Sequence, residues 1–245
     1  MGSPFKLNPM GSSLIEAPAP DRNPVRPRRP LIVRAAGRVA RQTRAAVANG
    51  ADLLRVLALR LLRRSDSARW SSAVGLEPWW VERTRQMATL IPAGCTVLEF
   101  GAGACALRDL LHPTCRYVPS DLVSRGPDTI VLDLNHRPLP DLSDVRADVA
   151  VFAGVLEYLH DLPEVVRWLG TLVHTCVISY DVVPGDADLS TRVSRTYDGL
   201  RHGYRNSMTE SELLRLFSDG GFSCAVRQTW TRQGIYLLTR DAHTR

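Results

Sequence analysis

Thr96-Val-Leu-Glu-Phe-Gly-Ala-Gly-Ala-Cys105 is the stretch of the 245-residue sequence that decides the fold. An apolar, β-branched run leads to the acidic Glu99, and a Gly-x-Gly turn follows at Gly101 and Gly103. A pattern of leucines then predicts a helix over 104–111. Strand, glycine turn and helix form the unit that brings backbone amides close to a nucleoside at the edge of a parallel sheet. The stretch therefore predicts a nucleoside-binding α/β domain.

Apolar runs alternate with helical patterns along most of the chain after residue 76. Strands are predicted at 96–100, 116–120, 129–132, 148–153, 176–180, 222–230 and 234–239. Helices are also predicted at 77–90, 161–173 and 210–219. This alternation is typical of a doubly wound, mostly parallel α/β sheet. The link 122–128 is too short for a crossover helix, so a loop or a single turn is expected there.

Composition divides the chain into three parts. Residues 1–30 are rich in Pro and Arg and lack apolar periodicity, which predicts a disordered tail. Residues 31–69 are predicted to form a basic helical arm, and residues 70–245 the α/β domain. Residues 1–64 hold 13 of the 31 basic residues but only 3 of the 25 acidic ones. The formal charge of +6 therefore comes from the N-terminal part of the chain.

Two interpretations of the arm stay open. In the simpler one, residues 31–64 are a solvated helical segment that docks on the domain. In the other, they form a basic amphipathic helix that binds an anionic membrane surface or a nucleic acid.

Several classes of protein do not fit the composition. No apolar run reaches the ~20 residues that span a bilayer, and no secretory signal is evident. The five cysteines are odd in number and form no CxxC pair, which argues against a disulfide framework and a zinc site. No set of metal ligands is recognisable in the sequence. A reduced, cytoplasmic setting is expected.

The motifs of the domain resemble, in their order and spacing, those of the class I S-adenosylmethionine-dependent methyltransferases of the small-molecule branch. The matching motifs are Val97-Leu-Glu-Phe-Gly-Ala-Gly103, Asp121 after the second strand, Asp133-Leu134 after the third, 148–159 across the fourth, and 210–222 with its closing Gly-Gly-Phe. The resemblance covers residues 79–240. It implies a doubly wound, seven-stranded, mostly parallel sheet with an antiparallel last strand, and S-adenosyl-L-methionine as the cofactor.

The resemblance also implies which residues bind the cofactor. Glu99 would organise the glycine loop and the ammonium end of the methionine tail. Asp121 would accept hydrogen bonds from both ribose hydroxyls, and Asp133 with the backbone of Leu134 would contact the adenine edge. The other cofactor residues expected from the motifs are Gly101, Ala102, Gly103 and Gly154.

Catalytic residues are expected just after the fourth strand. Methyl transfer is an in-line displacement, and a general base helps when the acceptor is a hydroxyl or an ammonium group. His160 and Asp161 are the expected catalytic residues, with His160 as the first choice for the base. Glu157, three residues earlier, is either functional or a surface residue at the start of a helix.

Substrate contacts are expected from Tyr180, Arg201 and Tyr204. The last two lie in residues 183–208, a long segment expected to be a loop that covers the pocket. The arginines and aromatic residues of this segment suit an anionic or sugar-like substrate.

The function expected from these motifs is transfer of a methyl group to an oxygen or nitrogen of a small molecule. A nicotinamide-dependent Rossmann oxidoreductase is the first alternative, because residues 101–106 also satisfy G-x-G-x-x-A. Glu99 argues against it, since that fold usually has an apolar residue there. The second alternative is a non-catalytic relative whose basic arm binds membrane or nucleic acid.

Overall fold

The computed structural model of the chain describes residues 54–71 and 79–240. The predicted tail (1–30) and most of the predicted arm (31–69) lie outside the described residues. Among the described residues of the arm, residues 54–61 form helix α1, and Ser67–Trp70 form the short helix α2.

One seven-stranded sheet organises the domain. Its strands are β1 (Thr96–Phe100), β2 (Arg116–Asp121), β3 (Ile130–Val131), β4 (Val149–Ala153), β5 (Thr175–Asp181), β6 (Ser223–Trp230) and β7 (Gln233–Thr239). They follow the order β3-β2-β1-β4-β5-β7-β6. Strands β1 to β5 pair in parallel, and β7 lies antiparallel between β5 and β6. The predicted doubly wound sheet with an antiparallel last strand is therefore confirmed.

Four longer helices accompany the sheet in the described ranges. They are α3 (Trp80–Ala88), α4 (Leu162–Leu172), α5 (Leu189–His202) and α6 (Glu210–Asp219). Side chains fix where the helices begin. Asp161 accepts a hydrogen bond from the Glu164 amide at the start of α4, and Thr209 and Glu212 form a reciprocal capping box at the start of α6.

The structure corrects two predicted elements. The helix predicted over 104–111 is only a 3-10 turn, Arg108–Leu110, because Cys105 has a positive φ of 55° that interrupts helical geometry. Residues 183–208, expected to be a loop, contain the 14-residue helix α5. Its apolar side chains Leu189, Val193 and Tyr197 recur every four residues, a helical spacing that the sequence interpretation missed, and all three are exposed.

The sheet is buried on both faces. On one face, Phe100 and Phe152 stack with ring centroids 4.6 Å apart and pack in the same cluster as α4 and α6. On the other face, Val97, Val151 and Met87 of α3 form a second cluster. Because both faces are covered, ligands reach the sheet at its edges. The carboxyl ends of β1, β2 and β4 meet at one such edge, where a cavity lies.

Candidate active site

The cavity at the carboxyl edge brings the predicted cofactor residues together. All eight of them line it: Glu99, Gly101, Ala102, Gly103, Asp121, Asp133, Leu134 and Gly154. They come from the ends of four neighbouring strands, so their convergence follows from the parallel sheet. Of the predicted substrate residues, Tyr204 also lines the cavity.

The glycine turn after β1 is tied to the end of β2. The Ala102 amide donates to the Ser120 carbonyl at 3.0 Å, and the Gly103 amide donates to Oδ2 of Asp121 at 2.8 Å. Gly101 has a φ of 69°, and a Cβ atom there would come within 2.5 Å of the Val155 side chain. Position 101 therefore needs glycine for both its conformation and its space.

Glu99 is a buried carboxyl at the floor of the cavity. The Tyr117 hydroxyl donates to its Oε2 at 2.5 Å, and only 3% of the residue is exposed. Burial raises the pKa of Glu99 to about 8, although the Tyr117 hydrogen bond and the charge of Arg83 act in the opposite direction. A carboxyl with so high a pKa binds a proton at neutral pH unless a cationic ligand replaces it.

Asp121 at the end of β2 is held by Arg125. The Arg125 Nε donates to Oδ2 of Asp121 at 3.0 Å, and its Nη2 donates to the Trp70 carbonyl at 2.7 Å. Oδ2 also accepts from the Gly103 amide, while the contact of Oδ1 with Arg125 is 3.4 Å long. Oδ1 therefore keeps capacity to accept hydrogen bonds from a ligand.

Asp133 at the end of β3 belongs to a small polar network. Its Oδ1 accepts from the Asn135 amide at 2.8 Å and from the Ser65 hydroxyl at 2.6 Å. The Asn135 side chain donates to Ser65 Oγ and to the Tyr158 carbonyl. The end of β3 is thereby joined both to the N-terminal segment and to the turn after β4.

Arg83 on α3 is a cavity residue that the sequence interpretation missed. Its Nη1 donates to Gln233 Oε1 at 3.1 Å and its Nη2 to the Ala153 carbonyl at 3.0 Å. Its Nε has no hydrogen-bond partner among the described residues, although only 5% of the residue is exposed. A Cβ atom at Gly154 would lie 2.6 Å from Arg83 Nη1, so glycine is what lets the guanidinium approach.

A signal for Arg83 does exist in the sequence. It precedes the buried Met87 by four residues and so shares its helix face, where an arginine is unexpected unless it has buried partners. Burial lowers the pKa of Arg83, and the nearby acidic groups Glu157 and Glu99 oppose that shift. The guanidinium is thus held close to two acidic groups.

Aromatic side chains line another part of the cavity. Trp70 and Tyr158 meet edge to face with centroids 5.2 Å apart, and Tyr158 meets Tyr204 in the same way at 5.2 Å. All three line the cavity. They provide flat apolar walls with hydroxyl groups, which suit a small ring-shaped molecule.

Glu157 is buried, not a surface residue. Its Oε1 accepts from the Asp181 amide at 2.9 Å, whereas Oε2 has no hydrogen-bond partner in the described part of the chain. Burial raises the pKa of Glu157 to about 7. Burial raises the pKa of Tyr158 and of Tyr204, both of which line the cavity, and the charge of Glu157 adds to both shifts.

The structure does not bring the predicted catalytic residues His160 and Asp161 to the cavity. The 3-10 turn Leu156–Tyr158 directs Tyr158 and Leu159 toward the cavity instead. The His160 amide donates to Asn135 Oδ1, and its Nε2 is buried without a partner among the described residues. Burial and the nearby Arg205 lower the pKa of the His160 ring. Asp161 acts as the cap of α4.

Two of the predicted substrate residues also lie away from the cavity. Tyr180 is fully buried, and its hydroxyl donates to Asn206 Oδ1 at 2.5 Å. It is on the sheet face that packs with α4 and α6, opposite the face of α3. Arg201 lies in the last turn of the helix that replaces the expected loop, with an exposed side chain, and its carbonyl accepts from Arg69.

Neither a metal centre nor a membrane span is found in the described ranges. No group of three or more His, Cys, Asp or Glu side chains there is arranged to hold a metal ion. No helix in the same part of the chain has the length and apolar character needed to cross a bilayer.

Solved methyltransferases share this fold. CalO1, a methyltransferase of calicheamicin biosynthesis solved with S-adenosylhomocysteine, is 20% identical over 68% of this chain, with a TM-score of 0.53. Human N-acetylserotonin methyltransferase with S-adenosylmethionine is 17% identical over 73% of this chain, with a TM-score of 0.53. The Burkholderia thailandensis 1,6-didemethyltoxoflavin-N1-methyltransferase is 17% identical over 77%, with a TM-score of 0.52.

These similarities establish the fold. The chain spans 56% of CalO1, 57% of the human enzyme and 89% of the Burkholderia enzyme. No curated protein sequence is significantly similar to the chain.

A family model gives the stronger result, because it matches most of the 245 residues. It describes a methyltransferase domain and matches residues 43–225. The match begins within the predicted arm and extends into β6. The chain therefore belongs to the methyltransferase-domain family, as its motifs predicted.

Proposed function

We propose that the protein transfers a methyl group from S-adenosyl-L-methionine to an oxygen or nitrogen of a small molecule. One observation carries this proposal: the same cavity presents the buried carboxyl of Glu99 and the buried guanidinium of Arg83, with two further carboxylates, Asp121 and Asp133, beyond them. A carboxyl and a guanidinium match the ammonium and carboxylate ends of an amino acid. The two further acids match the hydroxyl and amino donors of a nucleoside.

The same observation argues against a nicotinamide cofactor. The pyrophosphate of a dinucleotide is anionic and is bound by backbone amides at a helix N-terminus. Here the glycine turn is followed by a 3-10 turn of only three residues and not by a helix. The acidic Glu99 lies in β1, two residues before the first glycine of the turn. The family match likewise supports a methyltransferase over an oxidoreductase.

The residues present fit S-adenosylmethionine. Arg83 has an unpartnered buried Nε, and Asp121 keeps Oδ1 for a ligand. Gly101 lies where a Cβ atom would clash with its surroundings. We assign Glu99 and Arg83 to the two ends of the methionine tail, Asp121 to the ribose, and Asp133 with Leu134 to the adenine.

Positioning is the main catalytic contribution that we assign to this chain. When bound, S-adenosylmethionine supplies a methyl group activated by a positively charged sulfur. The chain holds the acceptor in line with that group, and such orientation can contribute ~7–11 kcal/mol to lowering a barrier. The aromatic walls formed by Tyr158 and Tyr204 support this role.

The acceptor side favours a small molecule that carries a ring, aromatic or sugar-like. Tyr158 and Tyr204 give it flat surfaces with hydrogen-bonding hydroxyls. Support for an anionic acceptor is weaker, since Arg195 pairs with Asp181 at 3.0 Å and Arg205 donates to the carbonyls of Val56 and Arg64. These two arginines of the 183–208 segment are thus engaged within the protein.

A cofactor-binding experiment tests the proposal. Isothermal titration calorimetry should detect binding of S-adenosylhomocysteine and none of NADH. Incubation of the protein with methyl-labelled S-adenosylmethionine and a small-molecule extract should then label a product, which mass spectrometry identifies. Binding of NADH without binding of S-adenosylhomocysteine would reject the proposal. Binding without any labelled product would favour the non-catalytic alternative.

We also propose a cytoplasmic location and an arm that docks on the domain instead of on a membrane or a nucleic acid. All five cysteines are free thiols, which suits a reducing compartment. Docking of the arm is supported by Arg205, whose guanidinium is buried and donates to the carbonyls of Val56 at 3.1 Å and Arg64 at 3.3 Å.

A further inference from the structure

The described part of the arm contributes to the cavity. Ser65 and Trp70 line it together with Asp121 and Asp133. Residues 65–70, which include α2, are here named the cover segment. No backbone–backbone hydrogen bond joins residues 54–71 to the described residues 79–240, so side chains hold this segment in place.

Ser65 holds the cover segment on Asp133. Its hydroxyl donates to Asp133 Oδ1 at 2.6 Å and accepts from the Asn135 side chain at 2.8 Å. Because Oδ1 also accepts from the Asn135 amide, both contacts are on one oxygen of the carboxylate. A carboxylate has about four acceptor sites, so Asp133 Oδ2 is left for a ligand.

Arg125 holds the other end of the cover segment on Asp121. The guanidinium donates from Nη2 to the Trp70 carbonyl at 2.7 Å and from Nε to Asp121 Oδ2 at 3.0 Å. Only 10% of the Arg125 side chain and 6% of the Asp121 side chain are exposed. The main contacts of Asp121 again use one oxygen, Oδ2, and Oδ1 stays accessible for a further hydrogen bond.

We propose that the cover segment closes over the bound cofactor, with the Trp70 ring against its nucleoside, and that lifting of this segment limits the rate of cofactor release. This inference rests on the proposed function. Of the two carboxylates assigned to the nucleoside, Asp133 holds the cover segment directly and Asp121 holds it through Arg125. Each uses mainly one oxygen for this and keeps the other for the ligand. Cover and cofactor are therefore bound together and do not compete. The Trp70 ring, packed on Tyr158, is fixed at the cavity wall.

The inference is tested by measuring the dissociation rate constant of S-adenosylhomocysteine from the full chain, by stopped-flow displacement. Trp70→Ala should raise the dissociation rate constant about tenfold or more, as expected when an aromatic contact with a base is removed. Ser65→Ala should also raise it about tenfold, through loss of a hydrogen bond to a charged group. Trp70→Phe, which keeps a ring, should restore most of the slow release.

Matched controls separate this role from general destabilisation. Trp79→Ala removes a tryptophan that stacks on Trp230 and does not line the cavity, and Ser67→Ala removes an exposed hydroxyl at the start of α2. Both should leave the dissociation rate constant unchanged, whatever they do to the melting temperature. In the wild-type protein, S-adenosylhomocysteine should also slow amide hydrogen exchange in residues 65–71.

Opposite results overturn the inference. Unchanged dissociation in Trp70→Ala and Ser65→Ala, with no protection of residues 65–71, would show that the segment does not cover the cofactor. Tighter binding in Ser65→Ala would show that the segment competes with the cofactor. In both cases the proposed function stands, because the wild-type protein still binds S-adenosylhomocysteine. Absence of wild-type binding would instead reject the proposed function and this inference with it.

Discussion

Cofactor binding should release a proton from Glu99. The carboxyl is buried beside Tyr117 and Arg83, and its pKa is raised to about 8 by burial, so at pH 7 most molecules without a ligand carry a proton there. We assign the ammonium group of the methionine tail to this carboxyl. That contact requires the ionised form, because a protonated carboxyl offers the ammonium no negative charge.

The size of the effect follows from the pKa. If the cofactor lowers the pKa of Glu99 to about 5 or below, the affinity for S-adenosylhomocysteine should increase about 50-fold between pH 6 and pH 8, since each pKa unit is worth 1.36 kcal/mol of linked free energy. The sign is fixed: binding favours the form without the proton, so affinity rises as pH rises through 8. At pH 7, about 0.9 proton should be released per ligand bound.

Calorimetry measures both quantities. Titrations at pH 7 in two buffers of different ionisation enthalpy give the number of protons released, and a series from pH 6 to pH 8 gives the slope of affinity against pH. Glu99→Gln should bind more weakly and lose the pH dependence. Glu82→Gln, an exposed carboxyl on α3, is the matched control and should keep it. A flat affinity with no proton release in the wild-type protein would refute the reasoning.

Three further predictions concern binding and stability. Asp121→Ala should weaken S-adenosylhomocysteine binding at least tenfold in the same titrations, because charged hydrogen bonds are worth about 1.5–3 kcal/mol each; unchanged affinity would refute the ribose contact. Glu157→Gln should remove a loss of stability that the wild type shows as pH rises from about 4.5 to 7. That loss is at most about 3 kcal/mol, since a buried acid with a raised folded-state pKa favours folding only while it is protonated. Urea unfolding at pH 5 and at pH 8 measures it. An equal change in the free energy of unfolding between the two pH values in both proteins would contradict the prediction. Phe152→Ala should lower the free energy of unfolding by about 3–5 kcal/mol, because it empties a fully buried site stacked on Phe100; a loss below 1 kcal/mol would show that the core closes around the deletion.

The sheet and the acids at its carboxyl edge were accessible to sequence reasoning because their signals are local. A β-branched run, a glycine turn and an acid after each strand are read within a few residues. Parallel pairing then brings the ends of β1, β2, β3 and β4 to one edge of the sheet. Residues as far apart as Glu99 and Gly154 therefore line one cavity.

The predicted site residues that do not line the cavity are those whose place depends on direction and distance. His160 and Asp161 follow β4 closely in sequence, yet after the intervening 3-10 turn it is Tyr158 and Leu159 that line the cavity. Tyr180 lies two residues after Ile178 in β5, so both side chains are on the same face of the sheet, opposite to α3. A shift of one residue in a strand changes the face, and a turn of three residues changes the direction, so short errors of this kind misplace a side chain completely.

By itself, the sequence determined the family, the order of the strands along the chain and the acids at the carboxyl edge, because each depends on neighbouring residues. Only the tertiary structure decided which side chains complete the cavity. Arg83 meets Gln233 across 150 residues of sequence, and Ser65 meets Asp133 across 68. Such contacts follow from the packing of α3 and of the N-terminal segment on the finished sheet. The spacing of Arg83 and Met87 indicates a buried position, but no local pattern identifies the partner. Burial of Glu99 beside Arg83, to which we assign the two ends of the methionine tail, is likewise a property of the folded chain.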